Sequence, residues 1–230
     1  MLIDIISIFP EAVERPVNVG ILGRALQEGL VEIRIHDLRE FAEGRHRVTD
    51  EPPYGGGPGM LMKPEPFFRA VEQCREDGRP ARIVLMTPQG RSLSHDICEE
   101  MAREEHLIVL CPRYEGLDER VRQWLVTHEI SIGDYVLSGG EFAALVFVDA
   151  VGRLVPGVVG DPESISDDSF AKSRLEGPQY TRPRDCKGLH VPETLFSGDH
   201  QAVQQWQAEK SYERTRKRRP ELLSEVDEEI

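Results

Sequence analysis

The sequence lacks any segment that is long and apolar enough to cross a membrane. Of the 230 residues, 39% are hydrophobic, and no apolar run approaches the roughly 18 residues that a membrane span requires. The first ten residues include Asp4 and have neither a basic start nor a small-residue cleavage site, which argues against an export signal and indicates a first strand. We therefore expect a cytoplasmic protein that makes no use of a membrane.

Cysteine is also scarce. The four cysteines, at positions 74, 98, 111 and 186, form no C-x-x-C pair and have no spacing typical of a metal site. This excludes a disulfide framework and indicates reduced, mostly buried thiols.

Positive charge is in the minority. Lys and Arg total 28 against 41 Asp and Glu, which gives a formal net charge of −13. Such a balance argues against a protein that coats nucleic acid nonspecifically, and we expect no DNA partner. It still permits a local basic patch, and positive charge is concentrated near the C-terminus, at Lys210, Arg214, Arg216, Lys217, Arg218 and Arg219.

Two common nucleotide-binding motifs are missing. The glycine cluster from Gly55 to Gly59 lacks the G-x-x-x-x-G-K-[ST] spacing of a phosphate loop, and no strand immediately precedes it. A nicotinamide-dependent oxidoreductase would need G-x-G-x-x-G after the first strand, where this chain has Ile8, Phe9 and Pro10.

Apolar runs and helix signals alternate along the first 160 residues. Strands are predicted at 2–9, 31–36, 82–87 and 107–111, and helices are predicted to begin at an Asn18 cap, at Pro64, at a Ser94 cap and at Leu117. This order predicts an α/β fold, a parallel sheet with helices on both faces. The long segment 37–63 has no periodicity, and its length suggests an ordered functional loop. Beyond residue 160 a polar, acidic, proline-containing stretch is typical of a linker, and a further helix is predicted from an Asp199 cap toward Arg216.

The chain is organised around the stretch from Ile130 to Glu141, I-S-I-G-D-Y-V-L-S-G-G-E. It predicts a short buried strand, a glycine-rich bend and a helix that enters the core. A tight turn is the alternative interpretation of the glycine pair. However, T-P-Q-G at 87–90 and C-P-R-Y-E-G at 111–116 also follow apolar strand-like runs. Three glycine loops at successive strand ends predict a ligand crevice at the carboxyl edge of the sheet.

Taken together, P-Y-G-G-G-P-G-M-L-M, T-P-Q-G-R, R-Y-E-G-L-D-E-R, S-I-G-D-Y-V-L-S-G-G-E and D-D-S-F resemble the bacterial tRNA (guanine-N1)-methyltransferases, which modify guanine 37 beside the anticodon. The resemblance covers nearly the whole chain. It implies S-adenosylmethionine as methyl donor, tRNA as substrate, a homodimer, and a SPOUT-type parallel sheet with a C-terminal trefoil knot. Patterning alone predicts an unknotted sheet, because threaded chains are rare. The implied domains are a donor-binding domain at 1–160, a linker at 161–176 and a helical tRNA-binding domain at 177–230.

The resemblance also implies where each ligand binds. The donor is expected to contact Thr87, Pro88, Gln89, Gly90, Pro112, Tyr114, Glu115, Ile132, Gly133, Asp134, Tyr135, Val136, Leu137, Gly139 and Gly140. The tRNA is expected to contact Arg45, His46, Asp50, Tyr54, Gly55, Gly59, Lys210, Arg214, Arg216 and Arg218. For Arg45 and its neighbours the alternative is a solvated charge run. Pro112 stands where the family commonly has Gly, so its backbone nitrogen cannot donate a hydrogen bond.

Two residues match the catalytic positions of the family. Methylation of guanine N1 requires removal of the N1 proton, and Asp168 matches the general base. A carboxylate is a weak base at neutral pH, so Arg153 is expected to stabilise the negative charge that develops at guanine O6. The alternatives are a helix cap for Asp168 and a helix-dipole partner for Arg153.

Metal ligands are not specified by the sequence. Magnesium is expected from the family, and Glu115 is interpreted either as orienting the donor or as helping to hold the ion together with substrate oxygens and waters. The rival class is a nonenzymatic RNA-binding module that has kept the fold. That class predicts loss of the base, the arginine or the glycine loops, and all are present.

Overall fold

The computed structural model describes residues 1–160 and 168–223. The chain divides into two compact units, Met1–Gly160 and Asp161–Ile230, which are described separately below. Within the described residues, no helix combines the length and the apolar character that a membrane crossing needs.

The first unit alternates strands and helices as its sequence pattern predicts. In chain order its elements are β1 (Leu2–Ser7), α1 (Glu11–Glu14), α2 (Gly20–Gln27), β2 (Glu32–Asp37), β3 (Asp50–Glu51), β4 (Leu61–Met62), α3 (Pro64–Cys74), β5 (Ala81–Ser92), α4 (His95–Ala102), β6 (His106–Leu110), α5 (Glu119–Trp124), β7 (His128–Ser131) and α6 (Glu141–Gly152). Short 3-10 turns lie at Pro16–Asn18 and Leu38–Phe41.

The central sheet of this unit is parallel and has five strands in the order β2-β1-β6-β5-β7. Because β1 and β6 lie in the interior of the sheet, their residues are buried on both faces, which explains their nearly continuous apolar sequences. The predicted α/β fold with a parallel sheet is therefore confirmed.

Helices cover both faces of the sheet. One core contains Ile3 and Ile5 of β1 with apolar residues of α2, α4 and α6. The other core contains Ile6 of β1 with Phe67 of α3 and Val121 of α5. Successive β1 side chains point to opposite faces, so one isoleucine-rich strand supplies both cores.

Two local predictions are wrong. Asn18 does not cap α2, because it ends a 3-10 turn and its side-chain amide donates to the carbonyl of Glu14 at 2.6 Å. Val19 occupies the cap position, without a side-chain hydrogen bond. The strand predicted at 82–87 does not end at Thr87 either. Strand β5 continues to Ser92, and its pairing with β7 changes register between Met86 and Arg91.

The long segment 37–63 is ordered by short elements. The side chain of Asp37 accepts a hydrogen bond from Arg39 N at the start of the 3-10 turn Leu38–Phe41. Farther along, β3 pairs antiparallel with β4. The chain then reaches the predicted helix start at Pro64, and Met62 N donates to the carbonyl of Gly116 at 2.9 Å. This bond brings the end of the segment beside the loop that follows β6.

The described residues of the second unit form a short hairpin, one long helix and short 3-10 turns at Glu193–Phe196 and Pro220–Leu222. The hairpin strands are β8 (Asp185–Cys186) and β9 (Leu189–His190), and the helix is α7 (His200–Arg218). The Asp199 carboxylate accepts from the backbone N–H groups of Gln201 and Ala202, so the predicted cap is confirmed.

Residues 168–176, the described part of the stretch predicted as a linker, are held against α7. Leu175 donates its N–H to Thr215 Oγ1 at 2.9 Å, and its carbonyl accepts from Ser211 Oγ at 2.7 Å. Arg214 donates to the carbonyls of Glu176 and Gly177 at 2.9 and 3.0 Å. These contacts make the described part of this stretch an ordered neighbour of the helix.

Candidate active site

A cavity of about 270 Å³ lies at the carboxyl ends of β5, β6 and β7. Its floor is apolar, with Leu85, Met86 and Ile130 from the strands. Three loops close around it, and they are the three that the sequence places at successive strand ends. The remaining lining residues are Thr87, Pro88, Gln89, Pro112, Arg113, Tyr114, Glu115, Gly116, Leu117, Arg122, Ser131, Ile132, Gly133, Tyr135, Val136, Leu137, Gly139, Gly140 and Ala143.

The first loop, 87–90, is an interruption within β5. A Cβ at Gly90 would lie 2.4 Å from Ile130 N and 2.4 Å from the carbonyl carbon of Glu129. Only glycine permits this approach of β5 to β7, so Gly90 is required for strand packing. Arg122 of α5, which also lines the cavity, donates to Gln89 Oε1 at 2.5 Å and so contacts this loop.

The second loop, 111–116, has an unusual backbone at its centre. Tyr114 has a φ of +60°, the left-handed region that non-glycine residues rarely occupy. Glu115 N donates to the carbonyl of Met60 at 3.1 Å, and the Glu115 side chain packs against Gly59. The glycine cluster at 55–59 therefore ends beside the cavity.

The third loop, 132–140, returns from β7 to the loop that follows β6. Gly140 N donates to the carbonyl of Pro112 at 2.8 Å, and Arg113 forms an isolated antiparallel bridge with Gly139. A Cβ at Gly140 would lie 2.8 Å from Cys111 Cα. The S-G-G motif therefore joins the third loop to the second loop. Gly140 is needed there because a side chain would be too close to Cys111.

A buried ion pair fixes this junction. Glu141, the first residue of α6, has no exposed surface. Its Oε1 accepts from Ser7 Oγ at 2.6 Å, and its Oε2 accepts from Arg113 Nε at 2.8 Å. The Arg113 guanidinium lies 4.6 Å from the centroid of the Phe9 ring. One carboxylate therefore ties β1, the second loop and the start of α6 together.

The Cys111 thiol beside this junction is chemically quiet. Burial raises its pKa well above the ordinary value, and the Glu141 carboxylate adds to the shift. A thiol that stays protonated is a poor nucleophile. A covalent mechanism through Cys111 is therefore not favoured.

The cavity brings together most residues that the resemblance assigns to the donor. Gly90 and Asp134 are absent from its lining, since Gly90 packs on β7 and Asp134 is exposed on the third loop. Sequence reasoning missed Arg113, Arg122 and Glu141. The R-Y-E-G and G-G-E motifs contain two of these residues, but their pairing spans 28 positions and follows no spacing rule.

The residues assigned to tRNA in the first unit are mostly exposed. Arg45 and His46 lie on the open part of the segment before β3, and Asp50 begins β3. Tyr54 is fully exposed, and Gly55 in the glycine cluster is exposed. Because Gly59 at the end of this cluster contacts the Glu115 side chain, the cluster reaches a residue that lines the cavity.

The two predicted catalytic residues belong to different units. Arg153 is exposed at the C-terminal end of α6, where its N–H donates to the carbonyl of Asp149. That position also suits a cation beside a helix C-terminus. Asp168 lines a cavity of about 370 Å³ in the second unit, together with Lys172 and Glu176. The residues that follow Asp168 form turns, so it does not cap a helix there.

The basic residues of α7 differ in exposure and partners. Lys210 pairs with Glu213 at 2.7 Å. Arg214 is half-buried and binds the two carbonyls of the preceding segment. Arg216 and Arg218 are exposed near the end of the helix. Replacement of the exposed residues therefore tests the effect of charge without breaking the hydrogen bonds that Arg214 makes to the preceding segment.

The chain is similar to known proteins over nearly its whole length. The family described as tRNA (Guanine-1)-methyltransferase TrmD matches residues 1–225. The chain is 52% identical over 226 residues to a tRNA (guanine-N(1)-)-methyltransferase of Geotalea uraniireducens, covering 98% of this chain and 92% of the relative. Proteins of the same name from Moorella thermoacetica and Geobacillus kaustophilus are 51% and 50% identical over 229 and 225 residues, covering 99% and 98% of this chain and 92% of each relative. A match of this extent and identity shows that the chain belongs to the tRNA (Guanine-1)-methyltransferase TrmD family.

Proposed function

We propose that the protein transfers a methyl group from S-adenosylmethionine to N1 of guanine 37 in tRNA, next to the anticodon. The observation that carries the proposal is the cavity at the carboxyl ends of β5, β6 and β7, which three loops close. Similar proteins are named tRNA (guanine-N(1)-)-methyltransferases. Ligand sites in parallel α/β sheets lie at this edge.

The cavity suits the chemistry of the donor. Leu85, Leu117 and Ile130 offer apolar surface for a flat ring, and the backbone of the third loop offers polar groups for its edge. The donor carries two cationic groups, a sulfonium and an ammonium. Glu115, a residue of the lining, has a carboxylate of opposite charge. When bound, the donor supplies an electrophilic methyl group on positively charged sulfur.

The chain supplies the proton acceptor and the charge stabiliser. In the proposed reaction, the Asp168 carboxylate would accept the N1 proton of guanine as N1 bonds to the methyl carbon, while the sulfur–methyl bond would break with its electron pair left on sulfur. Arg153 donates hydrogen bonds to guanine O6 and stabilises the negative charge there. This lowers the proton affinity of N1. A carboxylate without such help removes the N1 proton poorly.

Magnesium stays a prediction. The Glu115 carboxylate is the kind of oxygen ligand that Mg²⁺ takes together with waters and substrate oxygens. Glu115 lines the cavity, and the hydrogen bond from its N–H to the carbonyl of Met60 holds the backbone at this position.

We also propose the knotted topology and the cytoplasmic homodimer of the family. The third loop leaves β7, passes the end of β5 and joins the loop after β6 through Gly140, a path that a threaded chain would take. Helix α6 exposes Phe142 and Val146, at 57% and 49%. Exposed apolar side chains on a helix that is otherwise part of the core are suited to a protein interface.

Val146→Glu is expected to convert the dimer to monomers. A carboxylate buried at an apolar interface without a partner is strongly unfavourable, whereas Val146 is already half exposed within one chain. Light scattering at micromolar concentration measures the mass. Trp124→Glu is the matched control, because Trp124 is exposed on α5. A dimer that persists in Val146→Glu would contradict this interface.

Methyl transfer itself tests the function. Labelled S-adenosylmethionine is incubated with a tRNA transcript that carries guanines at 36 and 37, and with a transcript in which guanine 37 is replaced by adenine. We expect label only in the first transcript, at N1 of guanine 37. An absence of transfer, with tRNA binding intact, would favour the nonenzymatic RNA-binding class instead.

The salt dependence of tRNA binding tests the basic end of α7. We expect Arg216→Gln/Lys217→Gln/Arg218→Gln to weaken binding and to lower the slope of log affinity against log salt by about 2 to 3, since each phosphate contact contributes roughly 0.7 to 0.9. Arg214 is left unchanged because it holds the preceding segment. Affinities are measured over a salt series.

A charge-matched control is Arg75→Gln/Arg82→Gln/Arg103→Gln, which removes three exposed arginines of the first unit. We expect that variant to keep the slope of the parent. If the α7 variant also keeps it, the tRNA is held mainly by the loop around Arg45 and His46.

A further inference from the structure

A second cluster of reactive side chains involves β1, β2, β6 and the end of α3, and none of its residues lines the cavity. Asp4 of β1 accepts contacts from two histidines: His36 Nε2 is 2.6 Å from Asp4 Oδ1, and His106 Nε2 is 2.6 Å from Asp4 Oδ2. Cys74, the last residue of α3, places its Sγ 3.6 Å from His36 Nε2. Asp4 and His106 are fully buried.

We propose that Asp4, His36 and Cys74 form a binding site for a soft divalent cation such as Zn²⁺. One oxygen, one imidazole nitrogen and one sulfur lie within 4.8 Å of one another. Thiolate and imidazole are the ligands that favour zinc over magnesium or calcium. Nothing in the proposed methyl transfer uses these residues, so the site is independent of that function.

The distances suit a tetrahedral ion. With Zn–N of about 2.0–2.1 Å and Zn–S of about 2.3 Å, tetrahedral ligands are separated by about 3.6 Å for N and S and about 3.3 Å for N and O. The His36 to Cys74 separation already has this value. The His36 to Asp4 hydrogen bond would open by less than about 1 Å.

Charge balance also favours a divalent cation. A carboxylate and a thiolate together neutralise Zn²⁺, so the buried site would carry no net charge. Coordination removes the thiol proton outright and converts Cys74 into a strong ligand.

The surroundings provide support and access. His106 would remain hydrogen-bonded to the second oxygen of Asp4, the kind of outer contact that orients a ligating carboxylate. The side chain of His36 is 17% exposed, which gives the ion a path from solvent and leaves room for water as a fourth ligand.

Zinc binding to the full chain tests the proposal, in a Cys186→Ser background. Cys186 is the exposed cysteine, in a hairpin where His190 contacts Asp185, so its removal avoids an adventitious thiolate signal. The metal-free protein is titrated with Zn²⁺ in competition with a chromophoric chelator. We expect one tightly bound equivalent per chain. No bound equivalent would overturn the proposal.

Variants assign the ligands. We expect His36→Gln and Cys74→Ser each to weaken Zn²⁺ binding by at least about 10²-fold, the upper range for loss of an outer-shell partner alone. Cys98→Ser is the matched control, because Cys98 is also a buried thiol. With Co²⁺, the background protein should show a thiolate-to-cobalt charge-transfer band that Cys74→Ser lacks. If Cys74→Ser binds Zn²⁺ as tightly as the control, the proposal is wrong.

Folding stability gives a second readout that does not depend on Cys74→Ser being well folded. Excess Zn²⁺ should raise the melting temperature of the background protein, because an ion that binds the native state stabilises it. His36→Gln changes a partly exposed side chain and should lose this rise. Mg²⁺ should not distinguish the background protein from His36→Gln. An equal rise in His36→Gln would contradict the assignment of His36 as a ligand.

Discussion

Asp168→Asn is expected to slow methyl transfer by about 10²–10⁴-fold, the usual contribution of a general base. The amide keeps the size of the carboxylate and can still accept a hydrogen bond, but it cannot take up the N1 proton. Single-turnover transfer to tRNA at saturating donor measures the chemical step without product release.

Binding measurements separate this effect from misfolding. Calorimetry with S-adenosylhomocysteine should give the same affinity for Asp168→Asn and the parent, because Asp168 belongs to the second unit and the proposed donor cavity to the first. Asp167→Asn, one position earlier, is a matched control of equal charge change. If Asp168→Asn transfers methyl groups as fast as Asp167→Asn, then Asp168 is not the base.

Local signals predicted those elements whose ends are determined locally. Helix α3 begins at Pro64 because proline fits the first helical turn, and α7 begins where Asp199 caps two free N–H groups. Asn18 carries an equally good cap signal. Its side chain is instead used by the carbonyl of Glu14, a competing contact that residue preferences do not reveal.

The features that the sequence did not predict depend on contacts between residues that are far apart in the chain. T-P-Q-G has the composition of a turn, but the missing side chain of Gly90 lets β7 pack against it, and β5 continues. The glycine loops could be assigned to one ligand edge because parallel strands end together. The Asp4, His36 and Cys74 cluster could not be predicted, because its members lie on three elements with no ligand spacing.

The pairing of Glu141 with Arg113 is likewise invisible in the sequence, and its removal should have a large effect on stability. Glu141→Ala is expected to lower the free energy of unfolding by about 3–5 kcal/mol, because breaking a buried pair leaves a charge uncompensated. The Arg113 side chain is only 19% exposed, so water can solvate it poorly. Ser7 also loses its acceptor.

Urea unfolding at one fixed protein concentration measures the loss, since oligomer stability depends on concentration. Glu213→Ala is the matched control, because it removes an exposed carboxylate whose pair with Lys210 is of the surface kind, for which about 0–1 kcal/mol is expected. A similar small loss in both variants would show that the buried pair does not anchor the junction.

Glu141→Gln separates charge from shape. The amide can still accept from Ser7 or Arg113, so this variant should be more stable than Glu141→Ala but less stable than the parent. Because Arg113 and Gly139 line the cavity and bridge its loops, both variants should also weaken S-adenosylhomocysteine binding, the alanine variant more. If donor affinity and stability fall together in the two variants, Glu141 also maintains the shape of the cavity. If stability falls and donor affinity is unchanged, Glu141 only holds α6 on β1.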